Sequence, residues 1–155
     1  MEEIRARFSE RVVRTKDVTS FRFIPNKQFD FVPGQFAQVI FDESNRQNKD
    51  LNKFISFSCD TGKAYFEITK KLSQSSFSSK LRGLVEADNV LFKVPMGNCV
   101  LGANTSEVLF IAGGIGVTPV ISILEHAYNT KQQLDVKLIY SNWTEADIAF
   151  TNASS

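Results

Sequence analysis

The sequence is poor in the residues that most often carry metal and nucleophilic chemistry. It contains one histidine, His126, and two cysteines, Cys59 and Cys99. Two cysteines are too few for a four-cysteine zinc site or an iron–sulfur cluster. They could pair with each other, but free thiols are the prediction because no disulfide framework exists. His126 is expected to be a surface or packing residue. The sequence therefore predicts no metal site and no histidine-dependent triad.

Long apolar runs and a strong charge bias are absent as well. No apolar run approaches the roughly 18 residues of a membrane-spanning helix, and the acidic start Met1-Glu2-Glu3 lacks the apolar region of a secretory signal. The net charge is +1 without a long basic run, which argues against nucleic acid as a partner. These features predict a cytoplasmic protein with no membrane span.

Short strands dominate the first hundred residues. Apolar and polar residues alternate in segments separated by turn residues such as Pro33-Gly34 and Gly62. The predicted strands are residues 5–14, 19–24, 36–41, 54–59, 64–69 and 90–94. Six short strands at this spacing predict a small antiparallel barrel.

One short helix interrupts the strands. Phe77, Leu81 and Leu84 recur at helical spacing behind a run of serines that can cap the first turn. Two interpretations stay open for this segment. It either plugs one end of the barrel or presents a helix N-terminus to a phosphate group.

The chain is organised around the stretch from Val108 to Pro119. Its apolar beginning predicts a buried parallel strand, three glycines follow, and Thr118 and Pro119 are predicted as the N-cap and first residue of a helix. Such a turn directs backbone N–H groups at an anion, although a tight turn without a ligand is the alternative. The stretch matches neither a G-x-G-x-x-G fingerprint nor a phosphate-binding Walker loop.

A linker-like segment at residues 102–106 divides the chain. Residues 1–104 are predicted to form the barrel, and residues 105–155 to begin an α/β domain whose second parallel strand is 134–140. The predicted fold class is mainly β plus α/β. It is a six-stranded antiparallel barrel with a short capping helix, followed by a partial parallel Rossmann-like lobe.

Five short motifs in a fixed order carry a resemblance to a known family. They are Pro33-Gly34-Gln35-Phe36, Lys53-Phe54-Ile55-Ser56, Ser75-x-Phe77-Ser78-x-x-Leu81, Pro95-x-Gly97 and Gly113-Gly114-x-Gly116-x-Thr118-Pro119. The ordered set resembles the ferredoxin–NADP reductase superfamily. Members of that superfamily pair a flavin-binding barrel with an NAD(P)-binding lobe, pass a hydride from NAD(P)H to FAD or FMN, and send electrons onward.

The resemblance implies a flavin site on the barrel. The family's R-x-Y-S/T motif falls on Lys53, Phe54, Ile55 and Ser56: Lys53 would hold a flavin phosphate, Ile55 would cover the ring, and Ser56 would be the catalytic hydroxyl near N5. Further residues implied to meet the flavin and its pyrophosphate are Ile68, Thr69, Lys70, Ser75, Phe77 and Ser78. The helix segment favours FAD over FMN. Taken singly, each of these lysines could be a solvated charge and Phe77 a core residue.

The resemblance also implies a site for NAD(P)H on residues 105–155, here called the nucleotide lobe, and FAD binding by the barrel of residues 1–104. Gly114, Gly116, Thr118 and Pro119 would meet the dinucleotide, and Asn142 follows the second parallel strand, at the sheet end where α/β proteins bind ligands. The sequence does not decide between NADH and NADPH.

These implications predict a flavin-dependent oxidoreductase that moves electrons between NAD(P)H and an acceptor, with an acceptor protein as its partner. The alternatives are a flavin-binding electron-transfer module without NAD(P)H turnover of its own, and a barrel without cofactor. Because the family has more βα units than this chain, the nucleotide lobe is expected to be truncated. Flavin binding is then expected to exceed NAD(P)H turnover, and a homodimer is predicted through the exposed edge of the lobe.

Overall fold

The architecture is that of a computed structural model, which describes residues 1–151; the last four residues of the predicted 105–155 lobe lie outside the described residues. The first six strands are β1 (Glu2–Val13), β2 (Val18–Pro25), β3 (Phe36–Ile40), β4 (Asn52–Ser56), β5 (Phe66–Lys71) and β6 (Asn89–Met96). The remaining elements are α1 (Ser76–Arg82), β7 (Glu107–Gly113), α2 (Thr118–Asn129) and β8 (Asp135–Ser141), with 3₁₀ turns at Gly114–Val117 and Glu145–Asp147.

The first six strands form one antiparallel sheet in the order β4-β3-β6-β1-β2-β5. The sheet closes on itself where the chain leaves β4, because Phe57 pairs with Ile68 of β5 and the Ser58 amide donates to the Glu67 carbonyl at 2.9 Å. Closure satisfies the two edge strands. The predicted six-stranded barrel is confirmed.

Phenylalanine rings fill the barrel. Phe23, Phe66 and Phe92 are fully buried, and the ring of Phe92 lies edge-on to the other two with centroids 4.9 Å away. Alternation along β1 points Ile4, Ala6 and Phe8 into the same core, as strand geometry requires. The apolar half of the alternating pattern therefore builds one continuous interior.

Helix α1 packs against one end of the barrel. Phe77 and Leu81 are fully buried in the barrel core, and Ser75 caps the helix by accepting a hydrogen bond from the Ser78 amide at 3.2 Å. At the other end of the helix, the Arg11 guanidinium donates to the Leu84 carbonyl at 2.7 Å. The predicted cap and the predicted plug are both observed.

The nucleotide lobe consists of β7 and β8 side by side with α2 against one face. The strands are parallel, and Ala112 lies opposite Tyr140. Phe110 and Ala112 point toward α2, whereas Leu109 and Ile111 are 56% and 76% exposed. The sequence predicted a buried strand here, but the described residues cover only one face of it. The domain limits of 1–104 and 105–155 stay a prediction.

The start of α2 differs from the prediction. Thr118 already has helical dihedrals (φ −56°, ψ −45°), the N-cap is Val117, and no side chain caps the helix. The 3₁₀ turn runs directly into α2, so the turn occupies the place where a side-chain cap would act. The prediction of Thr118 as N-cap was therefore wrong. Residues 1–151 contain two α-helices, α1 and α2. Neither is long and apolar enough to cross a membrane.

Candidate functional site

Strand β4 presents two different faces. Its register with β3 sets Lys53 opposite Val39 and Ile55 opposite Ala37, both core residues, so Lys53 and Ile55 lie on the inner face. Phe54 lies on the outer face, where its ring is 60% exposed. Ile55, which was predicted to cover a flavin ring, is buried against the barrel core, and its contact with a flavin stays a prediction. The exposed apolar surface of this strand belongs to Phe54.

Phe54 is supported by a second aromatic ring. Phe36 of β3 meets it edge-on, with centroids 5.9 Å apart and planes at 88°. Phe36 is in turn fixed by Gly97, where an added Cβ would come within 2.5 Å of the ring. Ser56 follows on the same outer face and is half-buried. The outer face of β4 thus offers an aromatic ring and a hydroxyl two residues apart.

Two lysines lie close together near the point where β4 and β5 meet. Burial, followed by the positive charge of Lys53, lowers the pKa of Lys70. The Lys70 ammonium donates to the Lys71 carbonyl at 2.9 Å. Within residues 1–151, neither Lys53 nor Lys70 forms an ion pair with a carboxylate. Two cations that influence each other and pair with no carboxylate are suited to an anion.

The serines before and within α1 bond mainly to one another. The buried Ser78 hydroxyl accepts from the Ser73 amide at 3.0 Å and lies 3.1 Å from the Ser75 hydroxyl. Phe77 is a core residue. The three residues predicted here to meet a pyrophosphate therefore have structural tasks of their own.

Strand β5 contributes its side chains to the interior and to a polar network. Ile68 is fully buried in the core. The buried Thr69 hydroxyl lies 2.6 Å from the Ser20 hydroxyl and 2.7 Å from the Ser58 hydroxyl. Any contact of Ile68 or Thr69 with a ligand would therefore be made by backbone atoms.

A cavity of about 460 Å³ lies between the barrel and the carboxyl ends of β7 and β8. Its barrel wall includes Lys71 and Asp17, and its other wall includes Gly113, Gly114 and Asn142. The remaining lining residues are Thr15, Val18, Ile115, Ser141, Trp143, Asp147 and Ala149. The carboxyl edge of a parallel sheet is where α/β proteins bind their ligands.

The glycines of this loop leave space that the chain itself does not fill. A Cβ added to Gly113, Gly114 or Gly116 would meet no atom within 4 Å. Gly114 also has φ +50°, a conformation that favours glycine. Packing within the described chain therefore does not explain the absence of side chains at Gly113 and Gly116. The space is suited to a ligand that approaches the backbone closely.

An unpaired donor borders the same cavity. The Asn142 side-chain nitrogen is buried and has no hydrogen-bond partner among the described residues, and the Tyr140 hydroxyl shares this condition. Buried donors of this kind are normally satisfied. Of the loop residues predicted to bind, Gly114 and Asn142 line the cavity, whereas Thr118 is buried in α2 and Pro119 is half-buried beside it.

The two parts of the molecule are joined by a polar contact that the sequence did not predict. Asp60 follows β4, and its carboxylate binds His126 Nδ1 at 2.7 Å and the Asn129 amide at 2.8 Å. The Asp60 backbone amide donates to Glu125 at 2.7 Å. His126, which was expected to be a surface or packing residue, packs α2 against the barrel through its bond with Asp60.

The remaining contacts come from the same face of α2. The Ser122 hydroxyl donates to the Cys59 carbonyl at 2.7 Å, and Glu125 pairs with Lys63. Ser122, Glu125, His126 and Asn129 recur at helical spacing (residues i, i+3, i+4 and i+7), a pattern that could have identified a polar packing face. Burial raises the pKa of the Cys59 thiol beside them to about 12.

A buried carboxylate strengthens the barrel beside this contact. Glu67 accepts from Arg22 at 2.9 Å, from the Ser58 hydroxyl at 2.9 Å and from Arg14 at 3.3 Å. Its side chain is almost fully buried, so these donors are needed to offset desolvation. Arg14 also stacks over the Phe150 ring at 4.9 Å, which ties the end of the described chain to the barrel.

The chain is similar to known reductases over most of its length. Residues 105–151 match the ferric reductase NAD binding domain. The chain is 26% identical over 158 residues to the propane 2-monooxygenase reductase component of Mycolicibacterium smegmatis, which covers 97% of this chain and 43% of that protein. It is 37% identical over 145 residues to a plasma membrane-associated coenzyme Q6 reductase of Saccharomyces cerevisiae, covering 90% and 46%.

Solved structures share the fold. Ferredoxin-NADP+ reductase from Plasmodium falciparum superposes with a TM-score of 0.83 at 17% identity, over 97% of this chain and 63% of that one. The flavohem-like FAD/NAD binding domain of nitric oxide dioxygenase from Vibrio cholerae gives 0.78 at 19% identity, over 96% and 66%. The matched 105–151 segment and the shared fold confirm the predicted resemblance to the ferredoxin–NADP reductase superfamily, whose members use FAD and NAD(P)H. The chain spans less than half the length of the two curated relatives named above.

Proposed function

We propose that this chain is the flavin-binding and nucleotide-binding part of a reductase that moves electrons from NAD(P)H to an acceptor through FAD. The observation that carries the proposal is the presence of two anion-suited sites beside the same barrel strand. Lys53 and Lys70 form one site, and the open glycine loop opposite Lys71 forms the other. A flavin dinucleotide and a nicotinamide dinucleotide each carry a pyrophosphate that such sites bind.

The residues on β4 fit a flavin. Lys53 and Lys70 would bind its phosphates as point charges, Phe54 would cover the ring by apolar contact, and the Ser56 hydroxyl would hydrogen-bond the reactive edge. When bound, FAD supplies the ability to take two electrons from NAD(P)H and release them to an acceptor. The protein's part is to position the two dinucleotides against each other and to keep water from the contact.

Replacement of Lys53 tests the phosphate site. Lys53→Ala should weaken FAD binding more than riboflavin binding, because riboflavin lacks the phosphate. Lys49→Ala, at an exposed lysine in the loop before β4, is the matched control and should leave both affinities unchanged. Equal losses for FAD and riboflavin in Lys53→Ala, measured by flavin fluorescence titration, would contradict a phosphate role.

Replacement of Ser56 tests the catalytic hydroxyl. Ser56→Ala should keep FAD bound but slow its reduction severalfold, since one hydrogen bond is worth about 0.5–1.5 kcal/mol and this one would act as charge develops. Ser79→Ala, at an exposed serine, is the control for stopped-flow reduction. Loss of FAD from Ser56→Ala would assign Ser56 a structural role instead.

The spectrum separates the proposed reductase from its alternatives. A reductase shows visible flavin absorption that NADH or NADPH bleaches anaerobically. An electron-transfer module without NAD(P)H turnover keeps the absorption unbleached, and a barrel without cofactor has none. The acceptor is proposed to be a redox protein, in keeping with relatives named as monooxygenase reductase components or subunits. Reoxidation of the bleached flavin by candidate acceptor proteins is the measurement.

Association and location are proposals as well. Two copies are proposed to pair through the exposed edge of the β7–β8 sheet, beside the face on which Ile111 and Ile139 are uncovered in residues 1–151. Light scattering tests this by comparing the molecular mass of Ile111→Lys with that of the unaltered chain, and an unchanged mass would contradict the proposal.

A cytoplasmic location is supported by the two free thiols. Recovery of the protein in the membrane fraction of a cell lysate would contradict it, and the yeast relative is named as plasma membrane-associated.

A further inference from the structure

The wall of the cavity formed by the nucleotide lobe carries negative charge. From Leu138 to Thr151 the sequence contains no lysine or arginine but two carboxylates, Glu145 and Asp147, and Asp147 lines the cavity. The nearest basic residue on β8, Lys137, lies four residues before Ser141, or about 13 Å along a strand. A phosphate group on this wall would therefore meet two carboxylates and no cation from the wall's own segment; Arg14 of the barrel, which stacks over Phe150 at the end of the segment, is already paired with Glu67.

The turn that ends this wall is already capped by its own carboxylate. Asp147 Oδ2 accepts from the Thr144 amide at 3.2 Å and from the Thr144 hydroxyl at 2.8 Å, and the reciprocal bond completes a capping box. A phosphate bound at a turn of this kind would need the donors that the carboxylate occupies. The turn is closed to a second anion.

An aromatic side chain stands next to this acidic turn. Trp143 borders the cavity and is 95% exposed. An exposed indole offers a broad face on which a purine can stack. It is also the only tryptophan of the chain, so its fluorescence reports directly on this position.

We propose that Trp143 and Asp147 form an adenosine subsite that accepts a free ribose 2′-hydroxyl and excludes a 2′-phosphate, so that the chain selects NADH over NADPH. The inference rests on the proposed function, because it assigns a specificity to the same cavity. A carboxylate at this place accepts a hydrogen bond from the 2′-hydroxyl, whereas a 2′-phosphate needs a basic residue. The comparisons include both an NADH-cytochrome b5 reductase and a ferredoxin-NADP+ reductase, so family membership does not decide the matter.

Lys71 is the residue that would oppose the proposed selectivity if it bound a 2′-phosphate. It is the one cationic side chain among the described residues that line the cavity, and it belongs to the opposite, barrel wall. Its position opposite the glycine loop suits the pyrophosphate that NADH and NADPH share. Lys71→Met should therefore weaken NAD+ and NADP+ by a similar factor.

The test is titration of the FAD-loaded chain with NAD+, NADP+, 5′-AMP and 2′-phospho-AMP, followed by Trp143 fluorescence and by calorimetry. NAD+ is expected to bind at least about tenfold more tightly than NADP+. Asp147→Asn, which keeps an acceptor for the Thr144 cap, should narrow that ratio, and Glu86→Gln, at an exposed carboxylate outside the cavity lining, should not. Trp143→Phe should retain more 5′-AMP affinity than Trp143→Leu by calorimetry.

Each other outcome has a distinct meaning. Equal or tighter binding of NADP+, or a Lys71→Met variant that loses NADP+ alone, overturns the selectivity while leaving the nucleotide site in place. Equal 5′-AMP affinity in the phenylalanine and leucine variants overturns the stacking role of Trp143. Absence of heat and of quenching with all four nucleotides overturns the proposed function itself, together with the inference.

Discussion

The barrel and the nucleotide lobe both contain apolar strands but bury them to very different extents. In the barrel, Phe23 and Phe92 are fully buried because the sheet closes around them. In the lobe, Leu109 and Ile111 of β7 and Ile139 of β8 are more than half exposed, because α2 covers only one face of a two-stranded sheet. Two paired strands alone are marginally stable. The difference indicates that most of the stabilising burial in the described chain lies in the barrel.

The lobe compensates by binding the barrel through polar contacts. Asp60 of the barrel binds His126 and Asn129 of α2, and Ser122 binds the Cys59 carbonyl. Polar contacts are weaker than core packing but more directional. The orientation of the glycine loop toward the barrel therefore depends on a few hydrogen bonds.

The largest expected effect comes from truncating matched apolar residues in the two regions. Phe92→Ala should destabilise the chain by about 3–5 kcal/mol, since it leaves a cavity among Phe23 and Phe66. Ile111→Ala should change stability by about 0.5 kcal/mol or less, because Ile111 is exposed. Urea unfolding monitored by circular dichroism measures both. A comparable loss in Ile111→Ala would show that the exposed face of β7 is covered in solution.

Replacement of a glycine by alanine should affect stability in the barrel and ligand binding in the nucleotide lobe. Gly34 has φ +101°, and an added Cβ would lie 1.8 Å from the Cys99 carbonyl oxygen. The unfavourable dihedral alone costs about 1–3 kcal/mol, so Gly34→Ala should lower the melting temperature. Gly113→Ala meets no atom within 4 Å and should leave stability unchanged while weakening NAD+ binding. Unchanged NAD+ affinity in Gly113→Ala would contradict the interpretation that the open space at Gly113 accommodates a bound dinucleotide.

The sequence predicted those parts of the fold that depend on local pattern. Alternation such as that of Ile4, Ala6 and Phe8 identified the barrel strands, and the apolar spacing with the serine cap identified α1. Burial on both faces of β7 was not observed, because burial depends on which elements lie against the strand. The prediction of Thr118 as the N-cap was wrong because a 3₁₀ turn runs into α2 without a break. The glycine-rich sequence does not indicate whether such a turn precedes the helix.

Motif order led to β4 and to the glycine loop, whose ligand contacts stay predictions. The face of each β4 side chain could not be predicted, because it depends on the register with β3, which turns Ile55 inward and Phe54 outward. The partnership of Asp60 with α2 joins residues 66 apart in the chain. Lysine neighbours such as Lys53 and Lys70 likewise become visible only when strands pair.

A smaller effect is expected from the contact that holds the lobe against the barrel. Asp60→Asn retains the shape of the side chain but removes the charge from its bonds to His126 and Asn129. Charge-assisted hydrogen bonds are roughly twice as strong as neutral ones, so a loss of about 1 kcal/mol is expected. Hydrogen exchange should quicken in α2 and not in β1. Equal quickening in both would mean that the lobe and barrel unfold as one unit. Asp50→Asn, at an exposed position, is the control.

The smallest expected effect concerns the reactivity of the two thiols. Burial raises the pKa of the Cys59 thiol from its ordinary value of 9.0 to about 12, so at pH 8 the folded protein holds Cys59 protonated and unreactive, whereas Cys99 is exposed. A disulfide reagent at pH 8 should label Cys99 rapidly and Cys59 only as the structure opens.

Because the unfolded thiol ionises near 9.0, the stability contributed by the buried neutral form of Cys59 should decline as the pH rises from 9 toward 12. Cys59 adjoins the Asp60 contact, so its labelling rate should rise in Asp60→Asn and stay constant in Asp50→Asn. Rapid labelling of both thiols in the unaltered protein would show that the lobe leaves the barrel frequently and that the polar contact is weaker than its geometry indicates.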